Sequence, residues 1–238
     1  MIKFEHPEVW GWEHAIRGMR NPMNSWDKSD SRFNYDIEAA TVGNEEPQYI
    51  HIDATIGYND LDLMRRLIRA GSSHRKFLRQ IFVSVDITAP RYWLAEFDTY
   101  KVGTIANSCS TMHKITAKEF TLDDFSHEHL GNFDEPLRKD DNGLTRFPWF
   151  KTSLESTIDV LNYARELYLE TQDKKYWWQL IQLLPQSYNQ KRTVTMTYEN
   201  LLNMVSQRRG HKLDEWHDFC DWVFTLPYAE ELLKEGLK

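Results

Sequence analysis

The chain has 238 residues, 41% of them hydrophobic, with nine tryptophans and a formal net charge of −7; its mean hydropathy is −0.64. That length can bury a substantial core without staples, and no apolar run approaches the roughly 20 residues of a membrane helix. The charge argues against a general nucleic-acid binder, which requires a basic surface; two cysteines, Cys109 and Cys220, at a spacing that fits no zinc pattern, argue against a disulfide framework and for the cytoplasm.

The opening MIKFEHPEVWGW does not read as a signal peptide. Residues 7–20 place Val9, Trp12, Ala15, Ile16 and Met19 at helical spacing ahead of Pro22, which predicts a short helix. Asn24 to Glu46 is polar and reads as an ordered loop. Leu61–Ala70 sets Leu63, Met64, Leu67 and Ile68 on one helical face, with arginines outside and Gly71 as a C′ stop. From Ile81 the period falls to two: Ile81, Val83, Val85 and Ile87 share one side, and Phe82, Ser84, Asp86 and Thr88 the other, as in a half-buried strand. Pro90 ends it, and Arg91 to Tyr100 resumes helical spacing with Trp93, Leu94 and Phe97 inward. The run Thr99 to His113 is unusually polar and is the first place to look for a ligand.

Residues 123–150, with Gly131, Pro136, Gly143 and Pro148 among acidic residues, read as a long irregular excursion. Leu154, Ile158, Leu161 and Tyr168 mark a strong helix, and Lys175–Leu184 another that stops at Pro185. Thr193–Thr197 predicts a short strand or an extended link, and Leu201–Gln207 and Leu213–Phe224 predict helices on either side of Gly210. The order of elements predicts one mixed α/β domain over 1–238, of α+β type and rich in helix, without the regular alternation of a doubly wound sheet.

No GxGxxG, Walker A, HExxH or GxSxG sequence is present. Ser126-His127-Glu128-His129 supplies two histidines but no third ligand at a recognisable spacing, so a solvated loop is the better reading and no metal is expected. Basic residues cluster at Arg65, Arg66, Arg69, Arg75, Lys76 and Arg79, and at Lys191, Arg192, Arg208 and Arg209, which suits an anionic small molecule. The aromatic richness suits a planar ligand and an oligomer. Cys109 reads more readily as a small buried residue than as a nucleophile, and Arg208 and Arg209, at a helix end, complement the macrodipole whatever else they do.

Leu184-Pro185, Thr195, Leu201, Asn203, Arg208 and the pair His211 with Glu215 resemble, with one loop residue deleted after Arg208, a pattern of the flavin-dependent thymidylate synthases. That pattern runs Leu-Pro, Thr-x-Asn-x-Arg, a helix ending Leu-Arg, then His-Ala-Gln-x-Glu. The segment 81–113 is similar to the family's other half, in which a strand ends in Ala-Pro and an aromatic helix leads to Arg-His-Arg and then Ser-x-Asn-Glu-x-Ser-x-Arg-Tyr. Ala89-Pro90 and Phe97 match without gaps and set Thr99-Tyr100-Lys101 against Arg-His-Arg; Thr104 stands for the first serine, Asn107 lies near Asn-Glu, and Cys109 or Ser110 lies near the second serine. Ala15, Ile16, Arg17, Ser25 and Trp26 are similar to the family's Ala-Arg-x-Ser-aromatic opening. A register that sets Ser84–Tyr92 against the serine run would turn the alternating strand into a loop and leave Ala89-Pro90 unmatched.

The resemblance implies a thymidylate synthase-like fold with a small central sheet and a homo-oligomer, a tetramer with sites built between subunits. It implies transfer of a one-carbon unit to C5 of dUMP, with FAD as cofactor and NADPH and methylenetetrahydrofolate as co-substrates. Arg208 is the catalytic candidate, Thr99, Tyr100, Lys101, Thr104, Asn107 and His211 are candidates for flavin, and Ser108, Cys109, Ser110, Gln190 and Arg192 for the pyrimidine nucleotide. Loss of two basic positions from Arg-His-Arg also admits a relative that modifies a pyrimidine nucleotide differently, or a non-catalytic binding protein on the same scaffold.

Overall fold

The computed structural model describes residues 2–38, 49–132, 138–139, 145–146 and 149–237. The expected loop 24–46 and excursion 123–150 therefore lie in part, at 39–46 and at 133–137, 140–144 and 147–148, outside the described residues.

Strand β1 (Lys3–Trp10) precedes α1 (Trp12–Arg20), so the expected helix over 7–20 begins five residues late. Gly11, at φ 94°, separates the two, and a Cβ there would lie 2.1 Å from the Gln80 carbonyl oxygen, so no other residue fits. Val9 had the helical spacing by coincidence with strand alternation. The loop expected from residue 24 is likewise corrected: β2 (Arg32–Glu38) pairs antiparallel with β3 (Tyr49–Thr55), Arg32 opposite Thr55 and Glu38 opposite Tyr49. Their signal is the alternation Phe33, Tyr35, Ile37 and Ile50, Ile52, Ala54, overshadowed by flanking Ser, Asp and Asn. Helix α2 (Tyr58–Arg69) ends at Ala70 with Gly71 at φ 100° in the C′ position, as expected.

Strand β4 (Phe82–Pro90) buries Val83, Val85, Ile87 and Ala89, and α3 (Arg91–Phe97) buries Trp93, Leu94 and Phe97. There follow β5 (Ile105–Ser108), the single turn α4 (Thr111–Lys114), the two-residue strands β6 (Arg138–Lys139) and β7 (Thr145–Arg146), α5 (Phe150–Thr171) and α6 (Lys174–Leu183). Then come β8 (Asn189–Thr197), longer than expected, α7 (Tyr198–Arg208), α8 (Asp214–Phe224) and α9 (Ala229–Gly236). A four-stranded sheet has the order β1-β4-β8-β5. Pro7 can sit in β1 because that strand is an edge. The mixed α/β, helix-rich class with a small sheet is as expected.

Two compact units are formed, the first from Met1–Lys3, Ile87–Thr99 and Asn107–Thr193, the second from Phe4–Asp86, Tyr100–Ala106 and Val194–Lys238. The first packs Leu154, Ile158, Leu161 and Ala164 of α5 against Leu180 of α6 and against Ile115, Phe120 and Phe125. Asn162 makes two hydrogen bonds to the Phe120 backbone and Arg165 one to the Thr116 carbonyl, tying the connecting segment to α5. The second buries Met64 and Ile68 with Tyr198, Leu201, Leu202, Trp216, Phe219, Leu232 and Leu233.

One ion pair organises the second unit. Asp60, fully buried, accepts from Arg20 Nε at 2.6 Å, from Ser29 Oγ at 2.7 Å, and from Ser31 through Oγ at 2.6 Å and N at 3.1 Å. Arg20 also donates to the Ser25 and Lys28 carbonyls. Burial alone would raise the Asp60 carboxyl, but the hydrogen bonds from Ser31, Ser29 and Arg20 outweigh it and hold the group below its ordinary value.

Candidate functional site

Strand β8 ends at Thr197, whose side chain and that of Asn200 form a reciprocal cap on α7: Thr197 Oγ1 donates to Asn200 Oδ1 at 2.7 Å and accepts from Asn200 N at 3.3 Å. Asn200 Nδ2 donates to the Val102 carbonyl at 2.6 Å. Gly103, at φ 76°, allows this approach, since a Cβ there would stand 3.1 Å from Asn200 Oδ1. The turn that carries Tyr100, Lys101 and Thr104 is thereby pinned on the N-terminal end of α7.

At the other end of α7, Arg208 Nε donates to the Tyr100 hydroxyl at 2.8 Å, and that hydroxyl lies 3.1 Å from Gln207 Oε1. The guanidinium carbon stands 4.8 Å from the Trp216 ring centre and 5.5 Å from that of Tyr100, within cation–π range of both. Tyr100 meets Trp216 edge-on at 6.0 Å, and His211 meets it at 6.3 Å. Leu213 N donates to His211 Nδ1 at 3.2 Å, which assigns the ring proton to Nε2. Trp216, wholly buried, is a residue that sequence reading missed; it directly follows Glu215 of the His211/Glu215 match, the signal that could have found it.

A second constellation lies within the first unit. A cavity of about 530 Å³ is lined by Lys3, Lys114, Lys118 and Lys191, by Asp123, Asp124 and Glu128, and by Cys109, Ser110, Tyr188 and Gln190. Lys118 is paired with Asp124. Ser110 caps α4, its Oγ 2.7 Å from His113 Nδ1. Gln190 Nε2 donates to the Cys109 carbonyl at 2.8 Å, and Cys109 N to the Lys191 carbonyl at 2.9 Å, so β8 holds this wall in place. Burial and the Asp124 charge push the Tyr188 phenol above its ordinary value, leaving it a neutral hydrogen-bonding group.

The residues expected to bind ligand thus divide. Thr99, Asn107, Ser108, Cys109, Ser110, Gln190 and Arg192 fall in the first unit, and Tyr100, Lys101, Thr104, Arg208 and His211 in the second. Cys109, Ser110 and Gln190 share the lysine-lined cavity. Cys109 is exposed, contrary to the buried reading; it follows the exposed strand β5, which carries Asn107 and Ser108. Cys220 is the buried thiol, pushed up to about 11 chiefly by burial, which disfavours its thiolate form. Thr99 Oγ1 donates to the Glu96 carbonyl at 2.7 Å, a bond that finishes α3.

Several cations expected to face a ligand have protein partners. Arg192 pairs with Asp98 at 2.6 Å and reaches Gln190 Oε1 at 3.3 Å. Arg75 forks onto Glu199, Arg66 pairs with Asp62, and Arg69 with Glu235. The Arg65–Arg79 cluster is thus largely a helix-surface and inter-helix feature. His127 Nδ1 bonds the Phe125 carbonyl at 2.9 Å, and no group of three metal-ligating side chains occurs among the described residues. Within the same residues no helix is long and apolar enough to cross a membrane.

For a flavin, the second unit supplies a suitable donor set. Thr104 Oγ1 is buried without a hydrogen-bond partner among the described residues, so it could serve a ligand atom. Lys101 is exposed one residue beyond Tyr100 and suits a pyrophosphate.

No family model matches the chain, and no curated protein sequence matches it. Solved structures do. The flavin-dependent thymidylate synthase of Helicobacter pylori, complexed with FAD and dUMP, superposes with a TM-score of 0.63 at 17% identity, over 100% of this chain and 99% of that one. Another structure of the Helicobacter pylori enzyme with FAD and dUMP gives a TM-score of 0.62 at 16% identity, over 100% and 98%. The chain has the fold of the flavin-dependent thymidylate synthases.

Proposed function

We propose that the protein transfers a one-carbon unit to a pyrimidine nucleotide in a flavin-dependent reaction of the dUMP-to-dTMP type, acting as one functional domain over residues 1–238. The observation that carries this reading is Arg208: a guanidinium held at a helix end by an aromatic pair and a hydroxyl, in a chain whose fold is that of FAD- and dUMP-binding enzymes.

Arg208 hydrogen-bonds the uracil carbonyls and stabilises the electron-rich, enolate-like ring from which C5 attacks, a task for a donor fixed before the reaction begins. Thr104, Lys101 and His211 of the second unit would hold the flavin, which when bound would supply the redox and one-carbon chemistry, with NADPH as reductant and methylenetetrahydrofolate as one-carbon donor. Within the first unit, Ser110 and the cavity lysines Lys114 and Lys191 form a site suited to a phosphate group, and Gln190 keeps the Cys109 backbone in place. Arg192 orders this wall through Gln190 and Asp98. The exposed Val160 and Tyr163 of α5 and Trp178 and Leu183 of α6 support a homo-oligomer, proposed as a tetramer in the cytoplasm.

Purified protein supplied with FAD, methylenetetrahydrofolate and NADPH is expected to release tritium from C5-labelled dUMP. No release overturns this reading. Flavin binding without release would favour modification of the pyrimidine nucleotide at another position, a reading favoured by Thr99 and Tyr100 standing for two of the three basic positions and bonding protein groups.

A further inference from the structure

We propose that Tyr100 is a positioning residue for Arg208, setting the plane in which the guanidinium presents its donors to the nucleotide. The inference rests on the proposed function and adds to it a residue that acts on the reaction only through Arg208.

The direction of the hydrogen bonds follows from valence. A guanidinium has five N–H donors and no acceptor, so the Tyr100 oxygen must accept from Arg208 Nε. The phenolic proton is then directed to the other neighbour, Gln207 Oε1, at 3.1 Å. Gln207 precedes Arg208 on α7, so the hydroxyl bridges two consecutive residues of the same helix end.

Because guanidinium is planar, fixing Nε–H fixes the directions of the remaining N–H groups. Trp216 opposes rotation out of that plane by lying 4.8 Å from the guanidinium carbon. Trp216 is itself immobilised, wholly buried and packed edge-on against Phe219 at 5.5 Å. Tyr100 has its own anchor, because the turn that follows it is tied to α7 by Asn200 Nδ2 on the Val102 carbonyl. Arg208 is thus held by a ring from α8 and a hydroxyl from the turn after α3, while its stem belongs to α7. A side chain with four rotatable bonds would otherwise lose much of its freedom at the moment of reaction.

A purely structural Tyr100 and a positioning one differ in a double-mutant cycle. Trp216 is unsuited to the test, since its replacement would open a large cavity. Tyr100→Phe keeps the ring and removes only the hydroxyl. It is expected to lower tritium release about tenfold, the size of one charge-assisted hydrogen bond, with the dUMP dissociation constant changed less than about threefold. In an Arg208→Lys background, which retains a charge but not the fork, Tyr100→Phe is expected to cost almost nothing further.

Equal losses in both backgrounds would overturn the positioning role while leaving the proposed function intact. An unchanged rate in Tyr100→Phe would do the same. Absence of release from the unmodified protein would overturn the function, and the positioning role with it.

Discussion

Arg208→Ala is expected to reduce tritium release from C5-labelled dUMP by at least about a hundredfold, the usual cost of removing a donor aimed at developing charge. The protein should remain folded. Loss of the cation at the end of α7 and of its contact with Trp216 costs about 1 kcal/mol at such a half-buried position, or about 2–4 °C in melting temperature for a chain of this size. The two readings separate cleanly in a combined rate and melting measurement. A full rate removes Arg208 from the chemistry, and a collapse in melting temperature would make it a structural residue. Arg209, exposed at the cap of the same helix, serves as control, and its replacement by alanine should leave the rate within about twofold.

Arg20→Ala is expected to be the most destabilising single substitution among the charged residues discussed, at about 3–5 kcal/mol by urea unfolding. The favourable Coulomb energy of the pair is not the reason. Removing Arg20 leaves Asp60 buried with its charge and only hydroxyl and amide donors, and the uncompensated charge sets the cost. The surface pair Arg66 with Asp62 offers the contrast: both side chains are exposed, and Arg66→Ala should cost no more than about 0.5 kcal/mol. The pH dependence has a definite sign. Asp60 is held below its ordinary value, so the stability it contributes is fully present above the unfolded carboxylate range near about pH 4. It is lost as the pH falls through the lower folded value. Unfolding curves measured downward from pH 5 should therefore show a smaller loss on acidification in Asp60→Asn than in the unmodified chain. Parallel curves would mean that Asp60 is not the group that titrates.

Elements with one unbroken period were legible from sequence. The alternation from Ile81 to Thr88 and its stop at Pro90 appear as β4, and the spacing of Leu154, Ile158 and Leu161 as α5. Where two periods abutted, the reading failed. Val9 belongs to β1, yet it continues the spacing of Trp12, Ala15 and Ile16 across Gly11, and a left-handed glycine cannot be recognised from apolar spacing. The strands β2 and β3 were obscured for another reason: their alternation sits among residues rich in Ser, Asp and Asn, which signal loops by composition.

The candidate site divides along similar lines. Arg208 and Tyr100, 108 positions apart, each came from a separate motif comparison, and their hydrogen bond joins the two halves of that pattern. Trp216 carries no motif, because a buried ring reads as core until its neighbour is known to be a cation. Lys114 and Lys118 were invisible for want of any spacing rule; they reach one cavity only because α4 is a single turn and the chain then bends back to Asp124. The pairing of Arg192 with Asp98 likewise depends on tertiary structure, and it changes an expected nucleotide ligand into a residue that orders Gln190.

A flavin-dependent reaction requires that the chain itself bind FAD. The purified protein, titrated with FAD and separated from free ligand by gel filtration, is expected to retain the flavin absorbance bands in a fixed ratio to chain, with that ratio falling when Thr104, whose hydroxyl lies buried without a protein partner among the described residues, is replaced by valine. Protein that emerges without flavin bands at saturating FAD would contradict a flavin-dependent reaction.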